Sequence, residues 1–180
     1  VASLGTAMIR GYHDAGVIAV PKHFPGHGGT ITDSHQTLPT VARNVPEKDP
    51  HLVPFREAIA AGARMLMTGH ILAPATDPKY PASISDTFGR ILRNDLGYDG
   101  VGMTDDLAMG AIRRTYAPHN AAVRAAVAGA DILLVVDVPD RYNMIYDALL
   151  SAAREGVLDA SRVHASVIRI ISLKQEFLEE

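Results

Sequence analysis

Gly100-Val101-Gly102-Met103-Thr104-Asp105-Asp106 is an apolar run of strand length that stops on two acids. A short run without polar alternation is what a parallel strand buried on both faces requires. Three more runs share the pattern. Residues 17–20, Val-Ile-Ala-Val, lead into Lys22. Arg64-Met65-Leu66-Met67-Thr68 leads into Gly69-His70. Residues 131–136, Asp-Ile-Leu-Leu-Val-Val, lead into Asp137. Helical patterns over roughly 1–14, 51–61, 86–95, 118–128, 140–154 and 160–177 lie between and after them. Gly16, Gly62, Gly97 and Gly129 stand where helices should stop. Ser85-Asp86 and Asp159-Ala160-Ser161 supply helix starts. Strand-then-helix units in succession predict an α/β fold with about four parallel strands. A closed (β/α)8 barrel takes ~250 residues. A chain of 180 residues therefore reads as half a barrel or as a small doubly wound domain.

The polar residues have one address. Lys22, His23, His70, Asp105, Asp106 and Asp137 all follow the carboxyl end of a strand, the functional face of parallel α/β folds. The densest stretch is residues 22–35, Lys-His-Phe-Pro-Gly-His-Gly-Gly-Thr-Ile-Thr-Asp-Ser-His. Pro25, Gly26, Gly28 and Gly29 forbid regular structure there, so the loop must be held by its surroundings. Asp33 lies two residues before His35, close enough to orient one imidazole nitrogen and leave the other to exchange a proton near neutral pH. Two bland readings stand beside that dyad: a solvated glycine-rich turn, and a metal site of His23, His27 and His35. The metal reading is the weaker, because catalytic zinc takes histidines at regular helical or strand spacing. In Thr104-Asp105-Asp106-Leu107, one acid is explained by capping the next turn, most simply Asp106. Asp105, at the end of the strand, is the candidate nucleophile or ligand. His70 either lines the site or is a hydrogen-bonded structural histidine. Asp131 is read as a turn cap.

Composition excludes several classes. A net charge of −3 leaves no basic footprint for nucleic acid. No apolar run approaches the ~20 residues of a membrane span. The absence of cysteine removes disulfides, thiolate nucleophiles and cysteine-based zinc sites. No secretory signal is visible, in a sequence that begins at Val1 within a helical pattern.

The run KHFPGHGGTITDSHQTLP at 22–39, followed ~70 residues later by GVGMTDDLAMGAI at 100–112 and by AGADILL at 128–134, resembles glycoside hydrolase family 3. Within it, the chain is similar to the β-N-acetylglucosaminidase branch. The resemblance implies that Asp105 is the nucleophile of a glycosyl-aspartate intermediate. It implies that His35 is the acid/base, that Asp33 orients it, and that Lys22 and His23, with His70, contact the sugar. It implies no cofactor and no metal. The implied activity is retaining exo-hydrolysis of terminal β-linked N-acetylglucosamine, with muropeptides from peptidoglycan as substrate. Phosphorolysis, β-glucosidase activity in the same family, and an inactive partial domain are the alternatives. Family members carry strands ahead of the lysine-histidine motif, so the chain is expected to be the C-terminal half of a (β/α)8 barrel. The expected partner is the missing half or a second copy, because an isolated half-barrel exposes sheet edges and an apolar inner face.

Overall fold

The computed structural model describes residues 1–30, 32–45, 49–136 and 139–178. Helix α1 (Ala2–Asp14) precedes an extended segment, and a short 3-10 turn at Pro50–Leu52 runs into α2 (Val53–Ala60). Strand β1 (Met65–Thr68) follows, then α3 (Asp86–Arg90), which continues as one π-helical stretch, Ile91–Asp95. Strand β2 (Val101–Thr104) leads to α4 (Gly110–Arg113), α5 (Pro118–Ala128), α6 (Pro139–Arg154) and α7 (Ala160–Leu178).

β1 and β2 pair in parallel, Met65 opposite Val101 through Thr68 opposite Thr104. The two outer segments continue the order on either side, each through a single parallel bridge, Phe24 beside Thr68 and Ile132 beside Met103. Four parallel staves thus stand side by side in chain order, which is barrel topology.

Two expected strands are corrected in detail. The first pairs at 21–24 rather than 17–20: Met67 N–H donates to the Pro21 carbonyl at 3.1 Å, and Phe24 N–H donates to the Met67 carbonyl at 2.9 Å. Pro21 has no N–H to give, which interrupts a regular ladder. Residues 131–136 form a β-bridge at Ile132 only, because the next inward N–H groups go to side chains, although the Leu134 carbonyl still accepts the Leu107 N–H at 3.0 Å. Leu134 N–H donates to the Thr104 hydroxyl at 3.1 Å, and Val136 N–H donates to the Asp106 carboxylate at 3.0 Å. Asp137 lies outside the described residues.

The helix boundaries follow local chemistry. The Ser85 hydroxyl accepts the Phe88 N–H at the start of α3, as a serine N-cap should. Gly129 ends α5 at φ 115°, a left-handed conformation that costs glycine nothing. Helices and strands close over a core centred on Phe24, which is fully buried and meets Phe55 edge-on at 5.4 Å. Burying such a side chain contributes roughly 1.5–3 kcal/mol. A second cluster joins Ile84, Leu107 and Ile112 to the alanine face of α5. At Gly89 any Cβ would meet the Ala128 carbonyl at 1.8 Å, so glycine alone permits the close approach of α3 to α5.

The two ends of the strands differ in kind. At the amino end, α7 is tied to the sheet by charge: Glu176 accepts from Arg64 just ahead of β1, and Arg162 and Arg169 reach Asp131 just ahead of Ile132. Asp131 is not the turn cap expected of it. Its side chain has no exposure, and it also binds Arg93, Ser166 and the Gly102 N–H. The carboxyl end carries the candidate site.

Candidate active site

Asp105 immediately follows β2, with its N–H on the Thr68 carbonyl of β1 at 2.9 Å. One carboxylate oxygen, Oδ1, accepts the Asp106 N–H at 2.9 Å. The other, Oδ2, faces His23 Nε2 at 3.4 Å. The Asp105 side chain keeps 14% exposure, enough for a ligand to reach it. Asp106 plays the capping part: its Oδ1 accepts the Ala108 N–H at 2.9 Å as well as that of Val136.

His23 is placed by the first stave. The Lys22–His23 and Phe24–Pro25 peptides are cis. His23 lies against Gly69, where a Cβ would stand only 2.7 Å from the His23 Cβ. The His27 ring meets the His23 ring edge-on at 5.3 Å. Lys22 is exposed at the mouth of the site. Arg43, which sequence reading passed over, clamps the loop beyond. Its guanidinium donates to the Gly26 and Gly28 carbonyls at 2.7 Å each, and pairs with Asp49 at 3.0 Å. The planar fork of arginine suits several carbonyls at once.

The turn carrying Asp33 and His35 docks on the start of α4. Ala111 N–H donates to the Ser34 carbonyl at 3.2 Å. At Gly110 a Cβ would stand 2.5 Å from the His35 carbonyl and 2.7 Å from that of Gln36. Gly110→Val should therefore push this turn off the start of α4, read as a shift of the His35 ring signals in NMR spectra, while a thermal scan shows the fold retained; unchanged signals would count against the docking. Asp33 Oδ1 accepts the backbone N–H of His35 at 2.9 Å rather than its ring. Both side chains are exposed. Among the described residues, no hydrogen bond or ion pair joins His35 to Asp105.

His70 departs from the expectation that it contacts sugar. It has no exposure, and both ring nitrogens are engaged: Nδ1 with Ser83 Oγ at 2.7 Å and Nε2 with the Asp106 carbonyl at 2.8 Å. It lies beneath the site rather than in it. Among the described residues, no group of three or more histidines, aspartates and glutamates is arranged to hold a metal ion.

Burial lowers the pKa of His23 below 6.5, against the pull of Asp105, with Lys22 and His27 adding to the fall. Burial also lowers His27 and His70, again opposed by Asp105. The folded state therefore holds these rings neutral, and the unfolded chain binds protons first as pH drops. Their contribution to stability is complete above about pH 6.5 and is lost as pH falls toward the folded values. Denaturation midpoints should fall between pH 7.5 and pH 5, with a shallower slope in His70→Gln; an unchanged slope would contradict the assignment to His70.

Parallel staves in chain order, with an acid and histidines gathered at their carboxyl ends, define a (β/α)-barrel domain of the enzyme type. The model described as "Glycosyl hydrolase family 3 N terminal domain" matches residues 1–173. The chain belongs to glycoside hydrolase family 3 and forms part of its barrel domain. A β-N-acetylglucosaminidase of that family from Paenibacillus sp. str. FPU-7 superposes with a TM-score of 0.93 at 47% identity, over 97% of this chain and 34% of that one. Beta-hexosaminidase LpqI of Mycobacterium tuberculosis is 36% identical over 183 residues, 97% of this chain and 46% of the relative. Beta-hexosaminidase of Nitrosomonas eutropha is 36% identical over 152 residues, 83% of this chain and 43% of the relative. The chain thus spans less than half the length of these relatives.

Proposed function

We propose that this chain carries the nucleophile and the acid/base of a retaining exo-β-N-acetylglucosaminidase. The reading rests on Asp105: a partly open carboxylate at the carboxyl end of β2, with one oxygen tied by the Asp106 N–H and the other facing His23 Nε2 at 3.4 Å. In the first step Asp105 Oδ2 attacks the anomeric carbon, and the bond to the leaving oxygen breaks as the His35 imidazolium gives it a proton. In the second, His35 takes a proton from water, water attacks the same carbon, and the carboxylate leaves. Two inversions retain the configuration. A histidine suits the proton step because its ordinary pKa of ~6.5 is near working pH. Asp33, held beside His35 by the backbone bond, stabilises the imidazolium. Lys22 and His23 hydrogen-bond sugar hydroxyls. The substrate class is terminal β-linked N-acetylglucosamine on peptidoglycan fragments.

The site needs a covering partner. A groove of about 400 Å³ beside the first stave is lined by Met8, Ile9, Tyr12, Val17, Phe55 and Lys22. Met8, Tyr12 and Val17 are exposed there. This exposed apolar face is the surface on which the upstream part of the barrel would pack.

The test is release of 4-nitrophenol from 4-nitrophenyl β-N-acetylglucosaminide. It is run on the 180-residue chain and on the chain completed with the upstream barrel segment of the Paenibacillus relative. Hydrolysis by the completed protein with a β-configured first product is expected. An α-configured product, or none, would sink the reading. Sugar 1-phosphate formed on adding phosphate would move the assignment to phosphorolysis.

A further inference from the structure

The histidine beneath the site has a role no substrate contact explains. His70 is fully buried between Ser83 and the Asp106 carbonyl. A carbonyl oxygen only accepts, so Nε2 must carry the proton. In the neutral ring Nδ1 is then an acceptor, and the Ser83 hydroxyl donates to it. Burial keeps the ring neutral, against the raising effect of that same carbonyl and of Asp105 and Asp106.

The bond to Asp106 completes a bracket around Asp105. The Asp105 N–H is held by Thr68, the following N–H is held by Asp105 Oδ1, and the carbonyl after that is held by His70. The Asp106 carboxylate pins the chain further on through Ala108 and Val136. The backbone on both sides of Asp105 is thus fixed by hydrogen bonds, one of them from the fully buried His70 ring, so little reorganisation is left for the moment of attack.

We infer that the buried Ser83–His70–Asp106 chain is a positioning device for Asp105, and that His70 acts as a single fixed tautomer, protonated at Nε2. The inference rests on Asp105 being the nucleophile. It predicts an effect on turnover rather than on substrate affinity, since His70 touches no solvent. Misplacing a reacting group by about 1 Å costs on the order of 100-fold in rate.

The experiment compares His70→Leu, His70→Gln and Ser83→Ala with Leu158→Ala. Leu158 is a buried residue of a separate cluster with Ala126 and Ala152, and serves as a purely structural lesion. All are made in the completed protein. His70→Leu should lower kcat about 100-fold with KM moved less than threefold. His70→Gln, whose amide can still donate to the Asp106 carbonyl, should recover activity to within about tenfold of the parent. Ser83→Ala leaves the imidazole in place and should lose about tenfold, which keeps the test open should His70→Leu fail to fold. A loss confined to KM, or an equal loss of kcat in Leu158→Ala, overturns the inference. Nitrogen-15 spectra of the histidine rings give a readout apart from activity. A pyrrole-type Nε2 with a pyridine-type Nδ1 is expected, and the reverse tautomer overturns it. If Asp105→Asn abolishes hydrolysis while His70→Leu does not reduce it, only this inference falls. If Asp105→Asn remains active, the functional reading falls with it.

Discussion

Asp105→Asn is expected to reduce kcat of the completed protein on 4-nitrophenyl β-N-acetylglucosaminide by roughly 10⁴-fold or more. That corresponds to about 5 kcal/mol of lost transition-state stabilisation. The substitution separates chemistry from folding unusually well. Asparagine keeps an oxygen that can accept the Asp106 N–H, so the turn after β2 stays closed. What it lacks is the negative charge that makes an oxygen a nucleophile toward an anomeric carbon. The Asp105 side chain is partly open to solvent and, among the described residues, no guanidinium is bound to it, so removing its charge strands no buried arginine. The thermal midpoint should therefore move little while turnover collapses. Activity above a tenth of the parent's would place the nucleophile elsewhere.

Asp131→Asn should have the opposite profile, a large loss of stability read by denaturant unfolding. The carboxylate is completely buried and faces Arg93, Arg162 and Arg169 at 2.6, 3.2 and 3.1 Å. Removing one partner of such a network leaves uncompensated buried charge, which costs about 3–5 kcal/mol. A domain with only 5–15 kcal/mol to spare feels that strongly. Burial alone would raise the Asp131 pKa. The Ser166 hydroxyl, Arg93, the Gly102 N–H and Arg169 together overcome it and hold it below the usual 3.8. The sign follows: this stability is fully present above about pH 4 and disappears as pH falls through the lower folded value. Parent and variant should differ most at neutral pH and converge in strong acid. A midpoint shift below 1 kcal/mol at pH 7 would mean that the arginines find other partners.

Much of the chain was legible as a line of residues. Apolar runs ending in Thr104-Asp105-Asp106 and in Thr68-Gly69-His70 announce parallel strands with chemistry at their carboxyl ends, because strands buried on both faces tolerate little else. Gly16, Gly62, Gly97 and Gly129 all adopt positive φ, as helix stops should, since that requirement is local. The long motif at 22–39 was enough to expect the family. Arg43, Gly110 and the partners of Asp131 were not legible. Each acts on residues distant in sequence: Arg43 on carbonyls fifteen and seventeen positions back, Gly110 on the turn at His35, and Asp131 on helices before and after it.

His70 shows the division most clearly. Its place after a strand was visible in the sequence, and so was its capacity to move a proton. Whether it faces sugar or core depends on which atoms close over it, and Ser83 and the Asp106 carbonyl do so from thirteen and thirty-six residues away. The sequence by itself determined the alternation of strand and helix and the end of the sheet at which the titratable groups collect, because both follow from short-range backbone preference and hydrophobic pattern. Only the tertiary structure decided which of those groups stay open and which are sealed, because burial and hydrogen-bond partnership are properties of segments that meet only when the chain is folded.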